Sequence, residues 1–479
     1  MKRPYAIGTL AALLLLAGCS RPGGGPSVLL LTIDTLRPDH LGCYGYSSIR
    51  TPVIDSLAAS GVLFENAYTP IPVTLPSHTS ILSGLYPHQH GVRDNGVYRV
   101  PEELEMLPEI LHARGYETAA FVGAYVLHSS YGIDRGFDRY DDEMEEPIRS
   151  ENPILPGSQV PGYTRRWVER WTKPYQRKAE VVVERASRWL RGRNGEKPFF
   201  CWVHLFDPHM PYTPPAPWDT LYGGGYSGPV DGTVAGFLEV AKETRGMIPV
   251  EHIDRMIALY DGEISYTDHW VGELLKEVPE GTFVVVLSDH GEALGEHGEF
   301  FEHMRTLYRE TTRVPLILSG AGTAGGERRD ELVSTLDVLP TILDKTGIPA
   351  PGGLPGRSLL GSEGKGKGAL YVETMCSRTA VPVSYCWKGV RTTDWSLLFR
   401  YGKPALSETE RLLYRLATDP DELTNLYDEQ ERARTEIRRE YEELLALGTA
   451  DERNPANFWS LEEDDERVDA LRSLGYVEE

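Results

Sequence analysis

The sequence predicts an α/β fold, a large and mostly parallel sheet covered by helices, and three observations carry that prediction. Apolar runs of strand length alternate with amphipathic stretches of helix length along the first two thirds of the chain. Those runs are apolar almost throughout and so read as buried strands. With 479 residues and 41% hydrophobic content, the chain can enclose a large core.

The expected strands, in order, are Val28–Ile33, Ala119–Val122, Phe199–Phe206, Phe283–Leu287 and Pro315–Leu318. The expected helices include Val53–Ser60, Glu103–Arg114 and Lys178–Leu190; in the last, Val182, Ala186, Trp189 and Leu190 share one face. Glu146–Gln176, polar and Pro-rich, reads as an insertion or lid. A boundary is expected after Leu360, where Gly361–Gly368 is rich in Gly and Lys. Beyond it, Leu370–Glu373, Gly389–Val390 and Ser396–Tyr401 read as strands of a small sheet, followed by a charged helix from Asp428 to Leu447. The predicted organisation is a leader over 1–18, a tether over 19–26, a catalytic domain over 27–365 and a C-terminal α+β subdomain over 366–479.

Lys2 and Arg3 precede an apolar run, Ala6–Ala17, too short to span a bilayer comfortably. Its end, Leu16-Ala17-Gly18-Cys19, resembles the lipobox of bacterial lipoproteins. That resemblance implies cleavage before Cys19, a lipid on its thiol, and Ser20–Pro26 as a flexible link. The mature chain is then expected in the cell envelope, held to the membrane on its periplasmic or extracellular side. Five cysteines are too few for a disulfide scaffold. Cys376 and Cys386 are near enough in sequence to be bridged, while Cys43 and Cys201 sit in apolar surroundings that suit free thiols. A formal charge of −22 argues against a nucleic-acid partner.

Ligands of parallel sheets bind beyond the strand ends. Asp34 follows the first strand, Asp289-His290 the fourth and His209 the third. Carboxylates and imidazole in such places suit a divalent cation. A single acid there more often caps a helix; two such ends, one carrying Asp-His, bring the readings level.

Longer motifs then carry a resemblance. Thr51-Pro-Val-Ile-Asp55 through Tyr68 is followed by Thr74-Leu75-Pro76-Ser77-His78 with its Ser83-Gly84 tail. His204–Tyr212, Tyr260–Asp268, Asp289–Gly298, Arg313–Ile317, Asp337–Thr341 and Asp419–Leu426 come next, in the same order. Together they resemble the sulfatase family of the alkaline-phosphatase superfamily, from about Val28 to Tyr427. The resemblance implies an alkaline-phosphatase-like sheet and one divalent metal (Mn, Zn, Ca or Mg) held by Asp34, Asp289, His290 and the nucleophile. Thr74 falls at the nucleophile position. Asn95, 95 − 74 = 21 residues later, matches an Asn that donates to a non-bridging oxygen in the superfamily's phosphodiesterases. His209 matches a His beside the leaving group. A second metal needs further ligands, for which His204, Asp207, His297 and His303 are available without convincing spacing.

The departures bear on the chemistry. Sulfatases oxidise Cys or Ser to formylglycine, a conversion closed to Thr74 by its β-methyl. Thr35 replaces a second Asp, and His78 replaces an Arg. Gly123-Ala124-Tyr125-Val126 stands where two cations are expected, and a later Lys falls at Met304, beside His303. Fewer cations weaken capture of a compact anion. The sequence therefore orders the substrates of envelope or extracellular origin as phosphodiester, phosphomonoester and then sulfate ester, with phosphotransfer and an inactive binding protein as further alternatives.

Overall fold

The computed structural model describes residues 24–96, 98–144, 176–244, 246–361, 367–374, 385–402 and 407–447. Its main sheet is built from β1 (Val28–Ile33), β2 (Val62–Tyr68), β3 (Glu117–Val122), β4 (Arg139–Asp141), β5 (Phe199–Leu205) and β6 (Phe283–Leu287). After a short hairpin, β7 (Ala293–Leu294) and β8 (Phe300–Glu302), the sheet continues with β9 (Arg313–Val314), β10 (Leu316–Gly320) and β11 (Glu327–Ser334). The strand order is β11-β2-β10-β6-β1-β5-β3-β4, with β9 beside β2. From β6 through β4 neighbouring strands run parallel, and β10 is antiparallel to both β6 and β2. The sheet is mixed and mostly parallel, as the sequence predicts.

Burial on both faces follows from strand periodicity. On β1, Val28 and Leu30 enter one core, while Leu29, Leu31 and Ile33 enter the other. The first core is roofed by α2 (Thr74–Ser83), α4 (Leu107–Ala113) and α9 (Val338–Lys345); α3 (Pro87–His90) extends from α2, and the short α8 (Arg309–Thr312) leads into β9. The second is covered by α1 (Pro52–Ala59), α5 (Ala179–Gly192), α6 (Val234–Glu243) and the long α7 (Val250–Leu275). The expected face of α5 is the buried one: Val182, Ala186 and Leu190 pack inward, with Trp189 half-buried.

A separate four-stranded sheet follows, β12 (Leu370–Glu373), β13 (Tyr385–Arg391), β14 (Trp395–Gly402) and β15 (Ser407–Arg415), antiparallel throughout. It packs against α10 (Glu431–Leu445) through Tyr371, Phe399, Ile437 and Tyr441.

The expected ends shift where proline intervenes. The helix expected from Glu103 starts at Leu107, because Pro108 fits only a first turn whose N–H groups lack partners. The strand expected from Pro315 starts at Leu316, since proline has no N–H for the ladder. Two of the elements not anticipated are polar: β11 begins with Arg328 and Asp330 exposed at a sheet edge, and α7 buries Asp261, Glu263 and Asp268.

Cys201 is buried and Cys43 half-buried, both free. Cys386 is disulfide-bonded; Cys376 lies outside the described residues, as do Cys19 and nearly all of Glu146–Gln176. No helix among the described residues is long and apolar enough to cross a membrane.

Candidate active site

The chain turns abruptly after β1. Asp34 N–H donates to the Leu205 carbonyl at 2.9 Å, and Thr35 then takes the left-handed φ of 52°, a strained value for a β-branched residue. The neighbouring strand ends alike: Ser288 Oγ donates to the His290 carbonyl at 2.6 Å and accepts from Leu36 N–H at 3.0 Å, pinning the two turns together. Gly291 lies so close to the Glu310 carbonyl that a Cβ there would overlap it. These contacts bring Asp34, Asp289 and His290 to one point.

His290 Nε2 lies 3.6 Å from Asp34 Oδ1, 3.4 Å from Asp289 Oδ2 and 3.3 Å from Thr74 Oγ1. Donors about 2.0–2.4 Å from one cation have separations of this order. Asp34, Asp289 and His290 form the one potential metal group of three or more His, Cys, Asp or Glu side chains among the described residues. All four side chains are fully buried. His290 Nδ1 faces the Gly291 carbonyl at 3.1 Å; a carbonyl only accepts, so Nδ1 carries the proton and the Nε2 lone pair faces the acids. Both Asp34 oxygens and Asp289 Oδ2 are buried without a hydrogen-bond partner. A divalent ion would satisfy these atoms, so the donor set fits the metal that the sequence implies. Neither Asp207 nor His297 adds to it: Asp207 pairs with Lys178 at 3.1 Å, and His297 stacks on Tyr308.

Thr74 is the first residue of α2, and the N-cap is Val73. The hydroxyl is therefore not a helix cap, the ordinary use of a Thr at such a place. α2 is fastened to the acids by Ser77 Oγ, which donates to the Asp289 carbonyl at 2.8 Å. Asn95 Oδ1 accepts the Leu75 N–H at 2.8 Å, which leaves its buried Nδ2 without a partner and able to donate to an oxyanion.

His209 also reaches this end of the sheet: its Nδ1 donates to the Met210 carbonyl at 2.7 Å, and its ring packs edge-on against His303, 5.2 Å between centroids. His303 stacks in turn on His290 at 4.2 Å. Its Nδ1 meets Glu292 Oε1 at 3.1 Å, and Glu292 Oε2 accepts from Tyr212 OH at 3.1 Å. His303 Nε2 is buried without a partner. Met304, at the expected Lys position, instead packs with Ile71 and Val73. His303 was visible in the sequence as the neighbour of that position and as a spare ligand for a second metal; Glu292 carried no signal of its own.

Burial, followed by nearby charge, moves the ionisable groups. Burial raises Asp34 to about 6, and burial reinforced by the Asp34 charge raises Asp289 well above the carboxylate range. Burial pulls His290 well down. Burial also pulls His303 down, but Glu292 more than reverses it and leaves the imidazole above its usual value.

A carboxyl raised in the folded state contributes stability that is full below its ordinary value of 3.8 and lost as pH rises through about 6. A bound cation removes this loss. Melting curves of chelator-stripped and metal-loaded protein should therefore diverge as pH rises from about 4 to about 7, the metal stabilising most at the upper end. A metal-induced gain independent of pH would contradict the assignment.

Two acids and an imidazole at the ends of adjacent parallel strands, with a hydroxyl from the start of α2 beside them, make a centre suited to metal-dependent hydrolysis. The chain belongs to the sulfatase family: the family model described as sulfatase matches residues 26–348, and the C-terminal model of N-sulphoglucosamine sulphohydrolase matches residues 295–447. It is similar to arylsulfatase K of Rattus norvegicus, 26% identical over 450 residues that cover 84% of this chain and 75% of the relative. In fold it resembles a protein solved with its substrate D-glucosamine-2-N,6-O-disulfate (TM-score 0.69, 20% identity, 88% of this chain and 98% of that one). It also resembles the phosphonate monoester hydrolase of Agrobacterium radiobacter (TM-score 0.66, 22% identity, 88% and 95%). The family model and the curated relative are sulfatases by name, so the phosphoric-ester preference drawn from sequence is not supported. That preference counted cations lost from the family pattern, but His303 and Asn95 bring replacement polar groups to the same centre.

Proposed function

We propose that the chain is a metal-dependent sulfatase-family hydrolase that cleaves a sulfuric ester with Thr74 as its nucleophile. The observation that carries this reading is Thr74 Oγ1 lying 3.3 Å from His290 Nε2, beside Asp34 and Asp289, whose Asp34 Oδ1, Asp34 Oδ2 and Asp289 Oδ2 atoms are buried without a hydrogen-bond partner. A divalent cation bound there would lower the hydroxyl pKa and draw negative charge from the ester. Thr74 Oγ forms a bond to sulfur as the ester S–O bond breaks, and the proton it gives up goes to the departing alkoxide on the side lined by His209 and His303. Asn95 Nδ2 donates to a non-bridging oxygen. Water then attacks sulfur as the S–Oγ bond breaks, one water proton restores the Thr74 hydroxyl, and hydrogen sulfate leaves.

A second reading, hydrolysis or transfer of a phosphoric or phosphonic ester, is favoured by Thr74 itself, which has no route to an aldehyde. Initial rates on chromogenic mono- and diesters of sulfate and phosphate, with and without chelator, separate the two. Chelator-sensitive turnover fastest on the sulfate monoester supports the first reading, and preference for a phosphate ester overturns it. No turnover of any ester would leave an inactive binding protein.

We also propose that Cys19 carries the lipid that holds the enzyme to the cell envelope. Cys19→Ala should release the protein from membranes with catalysis intact. Its continued fractionation with membranes, still bearing residues 1–18, would refute the anchor.

A further inference from the structure

Beneath the metal group lies a second polar layer, centred on a threonine at a position where a parallel strand ordinarily places an aliphatic side chain. Thr32 precedes Asp34 by two residues on β1, so both side chains leave the same face of the sheet. His204 is directly across from Thr32 on parallel β5. Thr32 Oγ1 meets Trp202 Nε1 at 3.0 Å, His204 Nδ1 at 3.1 Å and His78 Nε2 at 3.1 Å. All four residues are completely buried.

These three contacts use everything a hydroxyl offers, one hydrogen and two lone pairs. The indole N–H can only donate, so it takes one lone pair. The remaining lone pair and the hydroxyl hydrogen serve the two imidazoles, one donating and the other accepting. Each imidazole then turns its other nitrogen to the site. His204 Nε2 lies 3.5 Å from Asp34 Oδ2. His78 Nδ1 lies 2.8 Å from the Thr74 carbonyl and 3.6 Å from Asp289 Oδ2. The two rings pack edge to face, 4.7 Å between centroids. One hydroxyl thus sets two imidazoles behind both acids and the nucleophile.

We propose that Thr32 is a positioning residue that holds Thr74 through the His78 hydrogen bond and packs His204 behind Asp34 and His78 behind Asp289, and that it thereby sets metal affinity. The inference rests on the metal reading of the site above. Outer partners of metal ligands typically contribute about 10–100-fold in affinity or activity. Thr32→Val keeps the shape and removes the hydroxyl. Thr32→Ser keeps the hydroxyl. Trp202→Phe removes the one contact directed away from the metal group.

The experiment titrates chelator-stripped wild type with Mn²⁺, Zn²⁺, Ca²⁺ and Mg²⁺ by calorimetry and carries the tightest ion through the variants, alongside kcat, KM and melting temperature. Thr32→Val should weaken the metal Kd by about 10–100-fold and lower kcat more than it raises KM. Thr32→Ser should stay within about threefold of wild type, and Trp202→Phe should lose melting temperature with little change in Kd. An unchanged Kd in folded Thr32→Val, or an equal loss in Trp202→Phe, overturns the positioning role. Should Thr32→Val fail to fold, His204→Gln tests one arm alone: it should weaken the metal by about tenfold, and an unchanged Kd overturns the inference. Wild type that binds none of the four ions would instead refute the metal reading on which it rests.

Discussion

Thr74→Ala is expected to abolish ester hydrolysis, lowering kcat by about 10³-fold or more while fold and metal content persist. The magnitude separates chemistry from structure. A lost helix cap costs about 0.5–2 kcal/mol of stability and need not touch turnover. Here the cap position belongs to Val73, so even that penalty is absent. What remains to Thr74 Oγ1 is its place beside His290 Nε2 in a fully buried centre. Thr74→Ser should keep part of the activity, since the hydroxyl survives. Wild type quenched during turnover should carry the transferred sulfuryl or phosphoryl group on the peptide containing Thr74. Full activity in Thr74→Ala, or an aldehyde on that peptide, would overturn the mechanism.

Asp289→Asn is expected to weaken the metal by on the order of 100-fold or more and to remove turnover with it. The direction of the stability change is equally diagnostic. Burial and the adjacent Asp34 charge oppose ionisation of Asp289 in the metal-free protein. Replacing it with a neutral amide relieves that repulsion, so the stripped variant should melt no lower than the stripped wild type near neutral pH. The loss should appear only when metal is added, as a missing rise in melting temperature. Undiminished metal content measured by mass spectrometry would exclude the site.

Much of this was legible in the sequence because parallel strands advertise themselves. Phe283–Leu287 is apolar without interruption and Val28–Ile33 is broken only by Thr32, and the sheet forms both with those limits. The acids after them stood out against that background. What sequence concealed was polar and distant. Thr32 looks like an ordinary β-branched strand residue until His78 and Trp202, from elsewhere in the chain, are seen to meet it. Glu292 looks like one more acid among 71 Asp and Glu until His303 closes on it. The substrate order drawn from sequence lacks support for a related reason. A count of motif cations registers a missing Lys at Met304, whereas the folded loop turns the adjacent imidazole into the centre.

The arrangement of the central strands bears on how the enzyme comes to exist at all. Asp34 follows β1 and Asp289 follows β6, which pair side by side although four other strands of the sheet, β2 to β5, lie between them in the chain. Contacts of such sequence separation carry a large loop-closure entropy and form slowly. An emerging chain therefore cannot assemble the centre until β6 has left the ribosome and docked against β1. Metal capture is accordingly a late event in maturation, and a nascent or truncated chain ending before Asp289 lacks the ligands to hold the ion.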